Sequence, residues 1–283
     1  MIQSTTTRFA IHLFLLHLFP FLLQAQSLPT DPVPCGTDQL HQLLAANDAD
    51  YADRVERAEQ SAFEKALKKT AGQESFSDLT YTLPLVFHII HDGGLENIPD
   101  SRITNAVAYL NDAFANAGYF GGLGTSTDVP FRFCLAQQTP DGLATNGITR
   151  SQSSLTNVFV NPQDTELKNL IRWDPTRYVN VWVVKSILSA AQGTPYAGYA
   201  TLPFLHGSNF DGIVIGAEYT GSSFLEQNTV LAHEMGHFLG LYHTFEGGCP
   251  NDDCLQQGDR VCDTPPDQAT FSSCTINSCH TDT

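Results

Sequence analysis

Hydrophobic and polar positions change rhythm several times along this chain, and each change predicts a different element. A run over 9–23 is almost wholly apolar behind Arg8, then gives way to Gln24-Ala25-Gln26 and polar sequence. Residues 28–34 hold three prolines and predict extended backbone. Residues 38–69 are rich in Ala, Leu, Glu and Lys, with no Pro or Gly until Gly72, and predict helix. After a linker over 72–78, β-branched and aromatic residues with frequent turns take over. The apolar stretch 83–90 predicts a strand, and 129–135, 178–184 and 212–215 predict shorter ones. Within 101–117, Ile103, Val107, Leu110 and Phe114 share one helical face at spacings of four, three and four. A helical turn is expected over 166–171, and a last helix over 228–238 with Asn228 or Thr229 as its N-cap. There is no internal repeat. The pattern is α/β, with strands and a long helix leading to the final helix, after a separate helical N-terminal segment.

Composition narrows the classes. The apolar run over 9–23 is too short to span a bilayer comfortably and has the flanks of a secretory signal peptide, assigned to 1–26. No cysteine follows the cleavage point near Ala25 or Gln26, which argues against a lipid-modified start. No later segment approaches membrane-spanning length, so the product is expected to be exported without a membrane anchor. The formal charge of −16 speaks against nucleic acid as a partner and suits an extracellular protein that holds Ca²⁺. Seven cysteines in an exported chain suggest disulfides, and the odd number leaves at least one unpaired.

The chemistry concentrates in the last helix, HEMGHFLGLYH over 233–243. His233 and His237 stand four apart, so on a helix both imidazoles can reach one Zn²⁺. Glu234 lies about 100° round the helix from His233, beside the metal rather than on it. Gly240 can take positive φ, stop the helix and deliver His243 as a third ligand. Three nitrogens with one open position describe a catalytic zinc, whereas a structural zinc is closed by four protein ligands. Leu231, Ala232, Met235, Phe238 and Leu239 project away from the histidines and anchor the helix in a core. Five specified positions in eleven are expected by chance on the order of 10⁻⁵ to 10⁻⁴ of the time at this composition.

With that motif stand HTFEGGC over 243–249 and GDRVCDTPPDQ over 258–268. Together they resemble the pappalysins, within the metzincin clan of zinc endopeptidases, from about Tyr81 to the end. The resemblance implies a metzincin-like catalytic domain over 79–283, with a twisted mixed sheet, a backing helix and a zinc-binding active-site helix, preceded by a helical propeptide over 27–78. It implies hydrolysis of protein or peptide substrates outside the cell. His233, His237 and His243 would hold zinc, and Glu234 would be the general base. Metzincins pair extended substrate with a strand above the cleft, for which 197–201 is the candidate; an ordinary edge strand is the other reading.

Cys35 lies in Pro34-Cys35-Gly36-Thr37, ahead of the helical segment. Its thiolate could fill the open zinc position until the segment is cut away between residues 68 and 78, as similar Cys-Gly motifs are implicated in doing in pappalysins. A disulfide is the alternative. Cys249, Cys254, Cys262, Cys274 and Cys279 cluster after the zinc motif without CxxC spacing, so disulfides are favoured over a second zinc site. Cys249 with Cys274 and Cys254 with Cys279 is the expected pairing. Cys134, in a strand, is expected to be a buried free thiol. Asp259, Asp263, Thr264 and Asp267 are Ca²⁺ candidates, since pappalysins bind calcium here, although acidic loops are commonly just solvated. His88 and His91 face opposite sides of a strand and are read as structural.

The match has a limit. Metzincins carry a methionine turn beneath the zinc, and only Met1 and Met235 occur here, so the C-terminal subdomain is expected to be incomplete. Cleavage preference is not legible. The alternative function is an exported non-catalytic zinc-binding or adhesion module, or an inactive fragment of the protease; an intact Glu234 argues for the enzyme.

Overall fold

The protein is described by a computed structural model over residues 34–70, 80–121, 128–160, 164–189 and 193–249, together with 254, 257–262, 264, 265, 267, 268 and 279. These belong to one compact unit spanning 32–283. The expected signal peptide, residues 71–78 of the expected processing stretch, Asp263 and Cys274 lie outside the described residues.

The N-terminal segment forms two helices rather than one, α1 (Thr37–Asn47) and α2 (Tyr51–Thr70). The break has a local cause. Asp48 leaves the helix at φ −130°, ψ 107°, and its carboxylate accepts the Asp50 N–H at 3.1 Å and pairs with Arg54 at 2.6 Å. Short acidic side chains compete with the helical ladder in this way, and Asn47-Asp48-Ala49-Asp50 carries the signal.

A sheet follows, built from β1 (Tyr81–His91), β2 (Phe131–Leu135), β3 (Ile148–Gln152), β5 (Val179–Val184), β8 (Gly198–Ala200) and β9 (Ile213–Gly216). Its order is β2-β1-β5-β9-β8, with β3 also pairing β1. All pairs are parallel except β8 with β9. β4 (Asn157–Phe159), β6 (Ser186–Leu188) and β7 (Pro195–Tyr196) make a small second sheet. The sequence pattern missed β3, β4, β6 and β7, which are short or carry polar side chains on both faces, so neither length nor alternation marks them.

The central strands are apolar at nearly every position because both faces are covered. On one face Leu85, Phe87, Ile89, Val181, Val183, Ile213 and Ile215 pack against α3 (Asp100–Phe114) and α5 (Thr229–Phe238). On the other, Trp182, Val184, Val214 and Tyr199 meet Leu40 of α1 and Leu167 of α4 (Asp164–Leu170). The expected apolar face of α3 is inward: Ile103, Val107 and Leu110 are buried and Phe114 packs against the same core. The helix stops earlier than 117, where Asn116 takes φ +48°.

In α5, Leu231, Met235 and Phe238 are buried, with Ala232 and Leu239 packed beside them. Each large side chain removed from water this way stabilises the docking by roughly 1.5–3 kcal/mol. Asn228 does occupy the N-cap position, but its side chain makes no cap bond and instead donates to Ser222 O.

Candidate metal centre

The anchored face of α5 leaves its opposite face to the site. His233 and His237 stand one turn apart there, and Gly240 at φ +111° lets the chain fold back, with Leu241 N–H donating to Gly236 O at 2.9 Å. The turn brings His243 to the pair. The three Nε2 atoms are mutually 3.1–3.2 Å apart.

Their outer nitrogens set the tautomers. His237 Nδ1 is 2.7 Å from the Leu241 carbonyl oxygen, and His243 Nδ1 is 2.9 Å from Asp38 Oδ1. Both partners only accept, so both Nδ1 atoms carry the proton and the facing Nε2 atoms present bare lone pairs. Burial, reinforced by the neighbouring imidazoles, pulls His233 down to about 4 and His237 to about 3, which keeps the rings neutral near pH 7. Lone pairs aimed at one another are repulsive unless a cation lies among them. Tetrahedral zinc with nitrogens at its usual distance separates its ligands by about 3.3 Å, close to what is observed. Cys35 Sγ completes the group, all four ligand atoms lying within 4.8 Å of one another. A three-nitrogen, one-sulfur set is borderline-soft and fits zinc.

Cys35 arrives along the sheet edge. Ala197 N–H donates to Pro34 O at 3.0 Å, Gly36 N–H to Gly198 O at 2.9 Å, and Ala200 N–H to Thr37 Oγ1 at 3.0 Å. The edge strand singled out over 197–201 therefore has an occupant, the chain's own N-terminal segment. Gly36 suits that fit, since a Cβ there would sit 3.2 Å from Val160 Cγ2 and 3.3 Å from Tyr196 Cγ, and those side chains would have to give by a few tenths of an ångström. Cys35 is a free thiol rather than half of a disulfide. Burial, and then the adjacent Glu234, push that thiol well above its ordinary range.

Glu234 is fully buried beneath this segment. Its Oε2 accepts from Thr37 Oγ1 at 3.3 Å and lies 3.5 Å from Cys35 Sγ, and burial pushes the carboxyl up to about 8. β8 crosses directly over it, so a Cβ on Gly198 would fall 2.9 Å from Glu234 Cγ and Oε1. Sequence reasoning did not single out Thr37 or Asp38 as site residues, and it named Gly198 only as part of the 197–201 candidate strand. The adjacency of Thr37 and Asp38 to Cys35 was the one available signal. A further contact joins the same parts: Tyr242 OH donates to Glu59 Oε1 of α2 at 2.7 Å.

Other expected residues fare differently. Cys249 pairs with Cys279 and Cys254 with Cys262, at Cα separations of 5.3 and 4.9 Å, which corrects the expected pairing. Cysteine spacing does not encode connectivity; the folding of the loop decides which Cα atoms come within reach. Cys134 is free but exposed, not buried, because β2 turns Phe133 inward and its neighbour outward. Of the calcium candidates, Asp259 Oδ1 accepts Val261 N–H at 3.0 Å and Asp267 Oδ2 accepts the Thr244 hydroxyl at 3.0 Å, while Thr264 N–H donates to Val261 O. Among the described residues these acids form no ligand cluster. His88 is structural: its ring nitrogens meet Thr149 Oγ1 at 2.7 Å and Asn180 Oδ1 at 2.9 Å, and burial holds it down near 4. His91 Nδ1 accepts Gly93 N–H at 3.2 Å.

The sequence pattern of the peptidase family described as Pregnancy-associated plasma protein-A matches residues 161–283, which include the whole histidine motif. An extracellular metalloprotease of Trichophyton verrucosum is 26% identical over 225 residues, covering 77% of this chain and 72% of that protein. One from Verticillium alfalfae is 31% identical over 185 residues, covering 62% and 53%. Mature mirolysin of Tannerella forsythia, solved with a cleaved peptide, superposes at TM-score 0.57 with 26% identity, covering 68% of this chain and 73% of that one. The chain resembles the pappalysins. A promirolysin mutant from the same organism matches this chain at TM-score 0.61 and 25% identity, over 82% of the chain and 76% of its own. The chain is thus a metalloendopeptidase of mixed α/β fold, similar to extracellular enzymes. Among its described residues no helix is long and apolar enough to cross a membrane.

Proposed function

We propose that this chain is the latent precursor of a secreted zinc endopeptidase that cleaves proteins or peptides outside the cell. In this reading 1–26 is the signal peptide, 27–78 the propeptide and 79–283 the catalytic domain. His233, His237 and His243 hold zinc, Cys35 covers its fourth position, and Glu234 is the general base. The observation that carries the reading is the convergence of three imidazole Nε2 atoms and one thiol at a single point. The extracellular relatives support export. The larger share of the chain matched by promirolysin than by mature mirolysin, 82% against 68%, supports a retained pro-segment.

The chain's own residues divide the work. The propeptide lies along β8 by main-chain hydrogen bonds, the edge a substrate backbone needs, so substrate and propeptide exclude each other. Its removal opens the ceiling over Glu234 and returns the carboxyl toward its ordinary range, ready to accept a proton from water. Glu234 then passes that proton to the leaving amine. Bound zinc supplies the Lewis acidity that polarises the scissile carbonyl and activates water. Edge-strand pairing holds the substrate extended beside these groups.

The test is cleavage of casein by processed protein, with and without a chelator, beside Glu234→Ala and Cys35→Ala precursors. Chelation should abolish cleavage and zinc should restore it. Glu234→Ala should keep its zinc and lose about 10²- to 10⁴-fold in rate. Cys35→Ala should be active without processing. Cleavage that survives both chelation and Glu234→Ala would overturn the reading, and a Cys35→Ala precursor that stays fully latent would remove Cys35 from it.

A further inference from the structure

Three imidazoles meet at this centre, and the outer hydrogen bonds of His237 and His243 come from different places. His237 is oriented by the Leu241 carbonyl, a group of the same helix end that stays with the catalytic part. His243 comes from the loop beyond Gly240, so α5 does not set its ring direction. Its Nδ1–H is received by Asp38 at 2.9 Å, and its ring stacks on Phe245 with centroids 4.6 Å apart. Asp38 lies on α1, three residues after Cys35 and next to the Thr37 that reaches Glu234.

We infer that Asp38 is a metal-positioning residue that the propeptide lends to the catalytic part. It fixes His243 as the Nδ1–H tautomer, aims Nε2 at the metal and strengthens that nitrogen as a donor. The inference rests on the proposed zinc reading and deepens it. The N-terminal segment then has two separable actions on one ion: Cys35 occupies the open position, and Asp38 orients a ligand that remains after the segment leaves. Partners of this outer kind change metal affinity by about tenfold to a hundredfold. Zinc is accordingly held more tightly by the precursor than by the processed enzyme, beyond what the thiol alone contributes. The segment serves loading of the ion as well as masking it.

The test measures Zn²⁺ affinity of the full-length, reduced precursor by competition with a chromogenic chelator, for wild type, Asp38→Ala, Asp38→Asn and His233→Ala. The same proteins loaded with Co²⁺ report the thiolate through its sulfur-to-cobalt charge-transfer band. Asp38→Ala should bind Zn²⁺ about tenfold to a hundredfold more weakly while keeping that band, because the segment is still docked. Asp38→Asn, which retains an acceptor oxygen, should recover part of the loss. Wild-type affinity in Asp38→Ala overturns the inference and leaves the zinc reading standing. Loss of the band in Asp38→Ala, or no recovery in Asp38→Asn, also overturns it, since Asp38 would then act by holding the segment in place. A wild-type precursor without one equivalent of Zn²⁺ sensitive to His233→Ala overturns the zinc reading and the inference together.

Discussion

A methyl group added at Gly198 tests how closely the sheet edge is built over the Glu234 carboxylate. The new Cβ would stand 2.9 Å from Glu234 Cγ and Oε1 and 3.1 Å from Cδ, where ordinary contact begins at 3.4 Å. Either β8 lifts or the carboxylate moves, by about 0.5–1 Å. Both neighbours stay anchored after the N-terminal segment leaves, since β8 remains paired with β9 and Glu234 sits on α5, whose Leu231, Met235 and Phe238 are buried in the core. Overpacking of this kind costs about 1–3 kcal/mol of stability. A displacement near 1 Å of a proton-transferring group costs on the order of a hundredfold in rate. Gly198→Ala, processed and loaded with zinc, should therefore lose about a hundredfold in kcat/KM on a peptide substrate, mainly in kcat. Circular dichroism and zinc content should stay those of the wild type. A folded, zinc-replete Gly198→Ala enzyme within threefold of wild-type kcat/KM would refute this account of the packing.

Two other outcomes follow from buried charge. Lys168 is fully buried, with Nζ 2.9 Å from Asp164 Oδ1 and 2.6 Å from Phe210 O, and Tyr199 OH of β8 donates to the same carboxylate at 2.7 Å. Lys168→Met keeps the volume but strands the Asp164 charge, so thermal unfolding should show a loss of about 3–5 kcal/mol, partly recovered in Asp164→Asn/Lys168→Met. A loss below 1 kcal/mol would contradict the pairing. His88, held near 4 by burial, binds its proton less readily folded than unfolded, where the ordinary value is about 6.5. Its contribution is whole above about pH 6.5 and is lost as pH falls toward 4, reaching about 3 kcal/mol. Urea unfolding of His88→Gln should fall less steeply over that window than wild type, and parallel curves would count against it.

Much of the site was legible without coordinates because its information is local. Helical spacing places His233 and His237 on one face, Gly240 permits the return, and the apolar positions of α5 say which side faces the core. The long helix α3 and strands β1, β5 and β9 were equally plain, since a buried face must repeat with the period of its element. The missed strands carry no such period, and the break between α1 and α2 depends on one aspartate turning its carboxylate onto its own backbone. Cys35 stood out only by its neighbours and by an odd cysteine count.

What the chain order does not contain is who meets whom. The partnership of Cys35, Thr37 and Asp38 with residues about 200 positions away, Glu234 and His243, exists only because α1 docks at the open edge of a five-strand path ending in β8. The disulfide partners were decided in the same way, by which loops the fold brings within reach. Local sequence determines the ligands and the helix that carries them, because a helix needs no distant partner to set its spacing. Tertiary structure decides what covers the three histidines, what orients His243 and how little room is left beside Glu234, because those are distances between segments that only packing brings together.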